Sequence, residues 1–381
     1  MLFNRIVGQE HIKNHLQTSA KNGRVPHAQL FIGKQGSGTL PMAIAYAQFL
    51  LSYFSDNPKK NELKVEKLHH PDLHFTFPVC TTDTVKKHPV SNLFLHQWKE
   101  FITEQPYGSL FNWLQWIGGE KKQGVISADE AQEVARKLRL KSFEGGFKVM
   151  IVWMAEKMNI VASNRLLKII EEPPVKTIFI LVTENEDQII STIKSRCQAL
   201  YFPLLSEQDI ANGLILTEQS SRSIALKIAA QSEGNYNKAV RLLNENAYDI
   251  IFEKWFIAWI RSAFKAKKNA STVNEWVVWS ETIAKKGREV QKQFLGYCLQ
   301  FFRQALLLNY KCPELVFLKI QTEKFKLERF APFVHSDNIL LIERELNVAI
   351  NHIERNGNAK MVLLDLSLKL TRFLHKKESS V

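Results

Sequence analysis

Short apolar runs alternate with amphipathic stretches over the first half of the chain. The stretches at 42–51 and 159–172 have helical spacing, and the second ends before Pro173. Four runs rich in β-branched and aromatic residues predict buried strands: residues 28–32, 73–77, 149–152 and 178–183. This alternation predicts the α/β class, with a parallel sheet that carries helices on both faces.

The second half of the chain has a helical pattern only. Residues 206–209 predict the start of a helix, and residues 233–239 connect two more. Later, apolar residues recur at three- and four-residue steps and predict a helix with a broad apolar face: Ile339, Ile342, Leu346, Ala349, Ile350 and Ile353. Such a face packs either within its own domain or against partner subunits. The predicted domains are 1–203 with an insertion at about 53–125, then 204–246 and 247–375.

The insertion at about 53–125 is rich in aromatic residues, which predicts an ordered segment rather than a linker. It contains one cysteine, Cys80, and five histidines: His69, His70, His74, His88 and His96. Their spacing does not match a metal-binding motif, so we expect loop histidines and no metal. The pattern does not assign a function to the insertion.

The composition indicates which partners and which cellular compartment to expect. The net charge of +13 suits a nucleic-acid or acidic-protein partner, although many proteins are basic for other reasons. Neither a secretory signal nor an apolar run long enough to span a membrane is visible. The four cysteines are widely scattered, which favours a reducing compartment. We therefore expect a cytoplasmic protein without a membrane partner.

A glycine-rich segment follows the first predicted strand and precedes a helix. Gly33 and Gly38 have the spacing of the phosphate-binding loop G-x-x-x-x-G-K-[ST], but Thr39 and Leu40 replace its lysine and its magnesium-binding hydroxyl. Backbone N–H groups can still form an anion-holding nest. The candidate nucleotide-contacting positions, with weak binding or none expected, are Gly33, Gly36, Ser37, Gly38 and Thr39.

A second catalytic element is missing after the predicted strand 149–152. An active ATPase of this type carries an acidic pair there, which supports Mg²⁺ and polarises water. Trp153 and Met154 occupy these places. Two independent losses on one scaffold indicate a nucleotidase fold that no longer hydrolyses nucleotide.

The chain resembles the delta-prime family of AAA+ clamp-loader subunits of bacterial DNA polymerase III. The match covers nearly all of the chain except about 53–125. Relatives often carry a four-cysteine zinc module in that region, and Cys80 alone cannot form it. The segments that carry the resemblance are residues 7–10, 26–28, 163–168, 171–174, 195–197, 354–360 and 364–368.

The resemblance implies an AAA+ sheet domain, a small helical lid at 204–246 and an all-α collar at 247–375. It implies that Asn237 stands where an active relative has a sensor arginine. It also implies that Arg196 reaches across a subunit boundary towards ATP on the next subunit. In the family, helices at the position of the helix that begins at Ser127 line the DNA-facing interior. The resemblance therefore implies that the basic residues of this helix face DNA, and the alternative is that they form an ordinary solvated basic face: Arg136, Lys137, Arg139 and Lys141.

The resulting hypothesis is a non-hydrolysing clamp-loader subunit with no cofactor of its own. Its expected partners are other loader subunits in a five-membered ring, the sliding clamp, and primed DNA within the complex. The main alternative is an active AAA+ ATPase, such as a helicase loader or a branch-migration motor. A stand-alone basic DNA-binding protein is a third class, and it would bind with a steep salt dependence.

Overall fold

The computed structural model describes most of the chain. The chain folds into two compact units, one of residues 1–119 with 123–244 and one of residues 120–122 with 245–381. Part of the insertion, residues 56–63 and 65–67, lies outside the described residues. The described residues are 3–55, 64, 68–143, 146–244, 247–266, 271–318, 320–322 and 325–376.

The first unit contains strands and helices, and the second contains helices, within the described ranges. The strands β1 to β5 are Ala28–Gly33, Leu73–Thr76, Lys148–Trp153, Thr177–Thr183 and Gln198–Phe202. The first-unit helices α1 to α10 are Glu10–Lys21, Thr39–Tyr53, Leu95–Glu104, Leu110–Trp116, Ala128–Arg139, Ile160–Glu171, Ser191–Lys194, Glu207–Thr217, Arg222–Ser232 and Tyr236–Leu243. The second-unit helices α11 to α16 are Ala247–Ala266, Thr272–Ala284, Arg288–Asn309, Leu327–Phe330, Ser336–Glu354 and Ala359–Leu374.

The strands form one sheet in the order β2-β3-β4-β1-β5, and every neighbouring pair is parallel. Successive residues of β1 point to opposite faces. Phe31 belongs to a core that includes Leu16 of α1 and Met42 of α2. Leu30 belongs to a second core with Val134 of α5 and Leu166 of α6. The predicted α/β class, with helices on both faces of a parallel sheet, is confirmed.

The prediction of four strands was incomplete, because β5 was not recognised. This strand lies at the edge of the sheet beside β1. Gln198, Ala199 and Tyr201 are exposed, and Phe202 alone is fully buried. A short edge strand of this kind has no continuous apolar run, so it lacks the signal that identified the buried strands.

The aromatic residues of the insertion form part of the core of the first unit. The Trp98 ring stacks on Phe77 with centroids 4.1 Å apart and meets Trp113 edge-on at 5.1 Å. All three side chains are buried. The described part of the insertion is therefore packed against the sheet and is not a linker.

The start and end of α5 differ from the sequence prediction. The Ser127 side chain accepts a hydrogen bond from Glu130 N, as the predicted capping box requires. The Glu130 carboxylate instead accepts from Ser91 N at 2.6 Å and from Thr76 Oγ1 at 3.1 Å. Only the serine half of the box forms, because the glutamate holds neighbouring segments together. The helix ends at Arg139, so Lys141 lies beyond it, contrary to the prediction.

The apolar face of α15 packs within the second unit. Ile342, Leu346, Ala349 and Ile353 are buried, and the helix packs on α13 and α16. The Trp259 ring, from α11, stacks on Trp279 of α12 with centroids 5.0 Å apart. This resolves the two alternatives for the face in favour of internal packing. Among the described residues, no helix combines the length and apolar character needed to cross a membrane.

Candidate functional site

The glycine-rich loop lies between β1 and α2. Gly36 and Gly38 have φ angles of +77° and +94°, a region that favours glycine. A Cβ on Gly33 would lie 2.6 Å from Ser37 Oγ, so this position also lacks room for a side chain. Ser37 and Thr39 are buried. The loop keeps a backbone shape that requires glycines while lacking the lysine that would meet phosphate charge.

The lid helix α10 begins directly on this loop. The Tyr236 backbone N–H donates to Gly36 O at 3.2 Å. Asn235 caps α10 by accepting from Lys238 N at 3.0 Å, and its side chain lies over Gly36. On the other side, Gln9 Nε2 donates to Ser37 O at 3.0 Å. The loop is thus enclosed by residues of its own unit.

A tyrosine from the insertion fills the space beside the loop. The Tyr107 hydroxyl accepts from Val7 N at 2.8 Å, and the Tyr107 ring lies 4.7 Å from the Tyr236 ring. A Cβ on Gly38 would lie 3.4 Å from the Tyr107 ring. Burial raises the pKa of Tyr107 far above its ordinary value, so the hydroxyl stays protonated. Tyr107 was not identified from the sequence, because an isolated aromatic residue in an unmatched segment carries no motif.

Asn237, which the family resemblance places at a sensor position, makes a contact that holds the lid. Its Nδ2 donates to Asn112 Oδ1 at 3.0 Å, and the same oxygen accepts from Ser109 N. A neutral amide cannot offset phosphate charge as an arginine would. The position therefore fastens the lid to the insertion.

The place of the lost acidic pair is filled by core packing. The Trp153 ring lies 5.0 Å from Trp98, inside the aromatic cluster of the insertion. Glu156 is the next acidic residue along the chain, and its carboxylate accepts from Glu184 N at 3.2 Å. Burial raises the pKa of Glu156, while its hydrogen bonds lower it. The described residues contain no group of three or more His, Cys, Asp or Glu that could hold a metal ion.

Arg196 lies just before β5, at the amino-terminal end of the parallel strands, whereas the loop follows the carboxyl-terminal end of β1. Gly33 pairs with Phe202 and Gln29 with Gln198, so four strand steps, roughly 13 Å, separate the two ends. The Arg196 side chain is 40% exposed. Arg196 therefore lies away from the loop of its own chain, and its side chain is partly exposed to solvent.

Hydrogen bonds and an ion pair hold the Arg196 guanidinium. Nη2 lies 2.5 Å from Glu171 Oε1, and Nη1 donates to Thr192 O at 3.1 Å and to Ser195 Oγ at 3.3 Å.

Burial raises the pKa of the neighbouring Cys197 thiol to about 11, so it is not a thiolate nucleophile at neutral pH.

The basic candidates near the end of α5 do not form a uniformly free surface. Arg136 pairs with Glu133 at 2.7 Å. Burial lowers the pKa of Lys137, while the charges of Glu130 and Glu133 raise it. Arg139 and Lys141 are exposed. Two of the four cations are therefore partly compensated within the helix itself.

Gly36→Ala is expected to lower the free energy of unfolding by about 2–4 kcal/mol, because it combines backbone strain with a collision. The added Cβ would strike Asn235 Oδ1 and lie 2.8 Å from Tyr236 N. Gly23→Ala is the matched control: its φ is +70° but nothing lies within 4 Å, so it should cost about 1 kcal/mol. Denaturant unfolding measures both. Equal losses would show that the lid does not rest on the loop.

Together these features define an AAA+ module. The sheet order, the glycine loop between β1 and α2, and the helical lid on that loop give the fold. Thr39 and Leu40 stand where the loop motif has its lysine and hydroxyl, and Trp153 and Met154 stand where an acidic pair was sought.

Sequence comparison gives the family. Residues 8–206, more than half of the chain, match the family described as DNA polymerase III, delta subunit, and the chain belongs to this family. The similar curated proteins include DNA polymerase III subunit delta′ of Bacillus subtilis, 28% identical over 244 residues. This match covers 63% of the present chain and 60% of that protein.

Two further similar proteins match a smaller part of the chain or have a less similar structure. DNA polymerase III subunit delta′ of Escherichia coli is 30% identical over 152 residues, covering 37% of this chain and 46% of that protein. The chain thus aligns with about half the length of these two curated relatives. A solved structure of a DNA polymerase III gamma subunit-related protein from Thermotoga maritima is 14% identical, with a TM-score of 0.41. It covers 94% of this chain and 99% of that one.

Proposed function

We propose that this chain is a non-hydrolysing subunit of a DNA polymerase III clamp loader. It completes a ring with other loader subunits, offers Arg196 to ATP bound by a neighbour, and helps to place a sliding clamp on primed DNA. The observation that carries the proposal is the contrast between the two ends of the parallel strands. The loop at the carboxyl end of β1 is covered by the lid of its own unit, whereas Arg196, before the amino end of β5, is partly exposed and can be reached by a neighbour.

The chemistry of phosphoryl transfer explains why an arginine of one subunit would act on ATP held by another. Negative charge spreads over the γ-phosphate oxygens in the transition state, and an arginine from another subunit offsets it. Arg196 presents a planar guanidinium with five N–H donors. Family membership and the Ser-Arg-Cys segment at 195–197 support this assignment.

The active-ATPase alternative predicts a different site. It needs a cation at position 39, a hydroxyl at 40 and carboxylates at 153 and 154, where the chain has Thr39, Leu40, Trp153 and Met154. The stand-alone DNA-binding alternative needs a free basic surface, but Arg136 and Lys137 face carboxylates on their own helix. Both alternatives are less consistent with the site than the loader-subunit proposal.

The purified chain is expected to show no magnesium-dependent ATP turnover. The loop lacks its lysine and hydroxyl, and Tyr107 and Asn235 lie against its glycines. Phosphate release by the chain alone, with a titration of a fluorescent ADP analogue, measures both steps, and binding should be weak or undetectable. Turnover that disappears in Ser37→Ala or Thr39→Ala protein would contradict the proposal and favour the active ATPase.

A further inference from the structure

The ion pair between Arg196 and Glu171 joins two separate elements of the first unit. Glu171 is the last residue of α6, and Arg196 follows the short helix α7. The two side chains meet at 2.5 Å and are 40% and 38% exposed. A half-exposed pair of this kind adds little to folding stability. Its main physical consequence is therefore the direction in which the guanidinium points.

The contacts of Arg196 leave part of its guanidinium free. Glu171 takes an Nη2 donor, while Thr192 O and Ser195 Oγ lie against Nη1. A guanidinium has five N–H donors in a fixed fork, so donors remain for an incoming phosphate. The C-terminal carbonyls of α6 carry partial negative charge and favour the cation at this place. One edge of the guanidinium is anchored and another is available.

We infer that Glu171 is a positioning residue for Arg196. Its carboxylate fixes the plane of the guanidinium, so that the free N–H edge faces phosphate oxygens of a nucleotide held by the neighbouring subunit. An arginine held in this way enters the transition state without first losing rotamer freedom. The inference rests on the proposed trans role of Arg196.

The test uses complete loaders reconstituted with full-length variants of this chain. Glu171→Gln retains the shape and an accepting oxygen but removes the charge, and Glu171→Ala removes both. Glu172→Gln is the matched control. Glu172 is the next residue along the chain, is exposed, and does not contribute to the contacts that hold Arg196. The readouts are kcat and KM for DNA-stimulated ATP hydrolysis, with equal incorporation checked by size-exclusion chromatography.

The kcat for ATP hydrolysis at the affected site should fall about three- to tenfold for Glu171→Ala, within the range of coupling between contacting residues. It should fall less for Glu171→Gln, with KM and the Glu172→Gln control unchanged. In an Arg196→Ala background, the Glu171 substitutions should have no further effect, because the group that they position is gone.

Three outcomes would overturn the inference. One is an unchanged kcat in the Glu171 variants when Arg196→Ala is slow, which leaves the proposed function intact. Another is a further loss in the Arg196→Ala background, which would give Glu171 an independent role. A faster Glu171→Gln loader would show that the carboxylate restrains Arg196. If Arg196→Ala itself has no effect, the proposed function fails instead.

Discussion

Arg196→Ala is expected to slow DNA-stimulated ATP hydrolysis by the assembled loader while the variant chain still folds and assembles. The side chain is half-exposed, and its contacts are an ion pair and two hydrogen bonds at the surface. Their loss should change stability by about 1 kcal/mol or less. The ATP sites affected lie on other chains, so the effect appears only in the complex.

The expected fall in the rate of ATP hydrolysis follows from the chemistry of arginines supplied in trans. Such residues contribute up to about 10³–10⁵ in rate in GTPases. In the proposed ring Arg196 serves one site among several, so total hydrolysis should fall partially and clamp loading should fall further. Arg196→Lys should restore little activity, since an ammonium keeps the charge but loses the planar fork.

Lys194→Ala is a suitable control for the charge effect. It removes a cation from α7, two residues before Arg196, and should leave hydrolysis unchanged. The assay compares complexes that differ only at these positions. Normal hydrolysis and normal loading with Arg196→Ala would show that Arg196 is a surface residue without a role in the reaction.

Removing residues 245–381 is expected to abolish stable incorporation into the loader while the first unit remains folded. The first unit has its own buried cores around both faces of the sheet. The second unit uses the buried face of α15 internally, but it exposes large apolar residues on α15 and α16: Leu340, Met361 and Leu368. The resemblance of residues 354–360 and 364–368 to the collar helix of the family favours the second unit as the source of the assembly contacts.

Co-elution with partner subunits measures this second prediction, and thermal unfolding of the truncated chain checks that it is folded. A full-length chain with Leu340→Glu and Met361→Glu is the matched comparison, because both residues are exposed and the internal core is untouched. It should assemble poorly as well. Normal co-elution of the truncated chain would assign the assembly contacts to the first unit.

Elements with strong local signals were predictable from the sequence. The four buried strands were identified because they are short runs rich in β-branched and aromatic residues, and α6 ends at Glu171, before Pro173, as predicted. The loop was recognised by the spacing of Gly33 and Gly38, and Gly38 has the positive φ angle that favours glycine. In each case the signal is carried by consecutive residues or by a fixed short spacing.

Features that depend on distant residues were not predictable. Tyr107 contacts Val7 and Tyr236, which are far from it in the sequence. The capping box at Ser127 formed only in part, because Glu130 found partners in other segments. Likewise, the contact between Glu171 and Arg196 depends on how α6 and α7 pack. Local pattern identifies the candidates, and tertiary packing decides what each side chain contacts.

The central claim is that this chain is an ATP-inactive member of a clamp-loader ring. Its most direct test is reconstitution of a loader from DNA polymerase III loader subunits with and without this chain, measuring complex mass and clamp loading onto primed DNA. We expect a stable complex that contains the chain and loads clamps, and little or no loading when the chain is omitted. A loader of unchanged mass and full activity, from which the chain elutes separately, would contradict it.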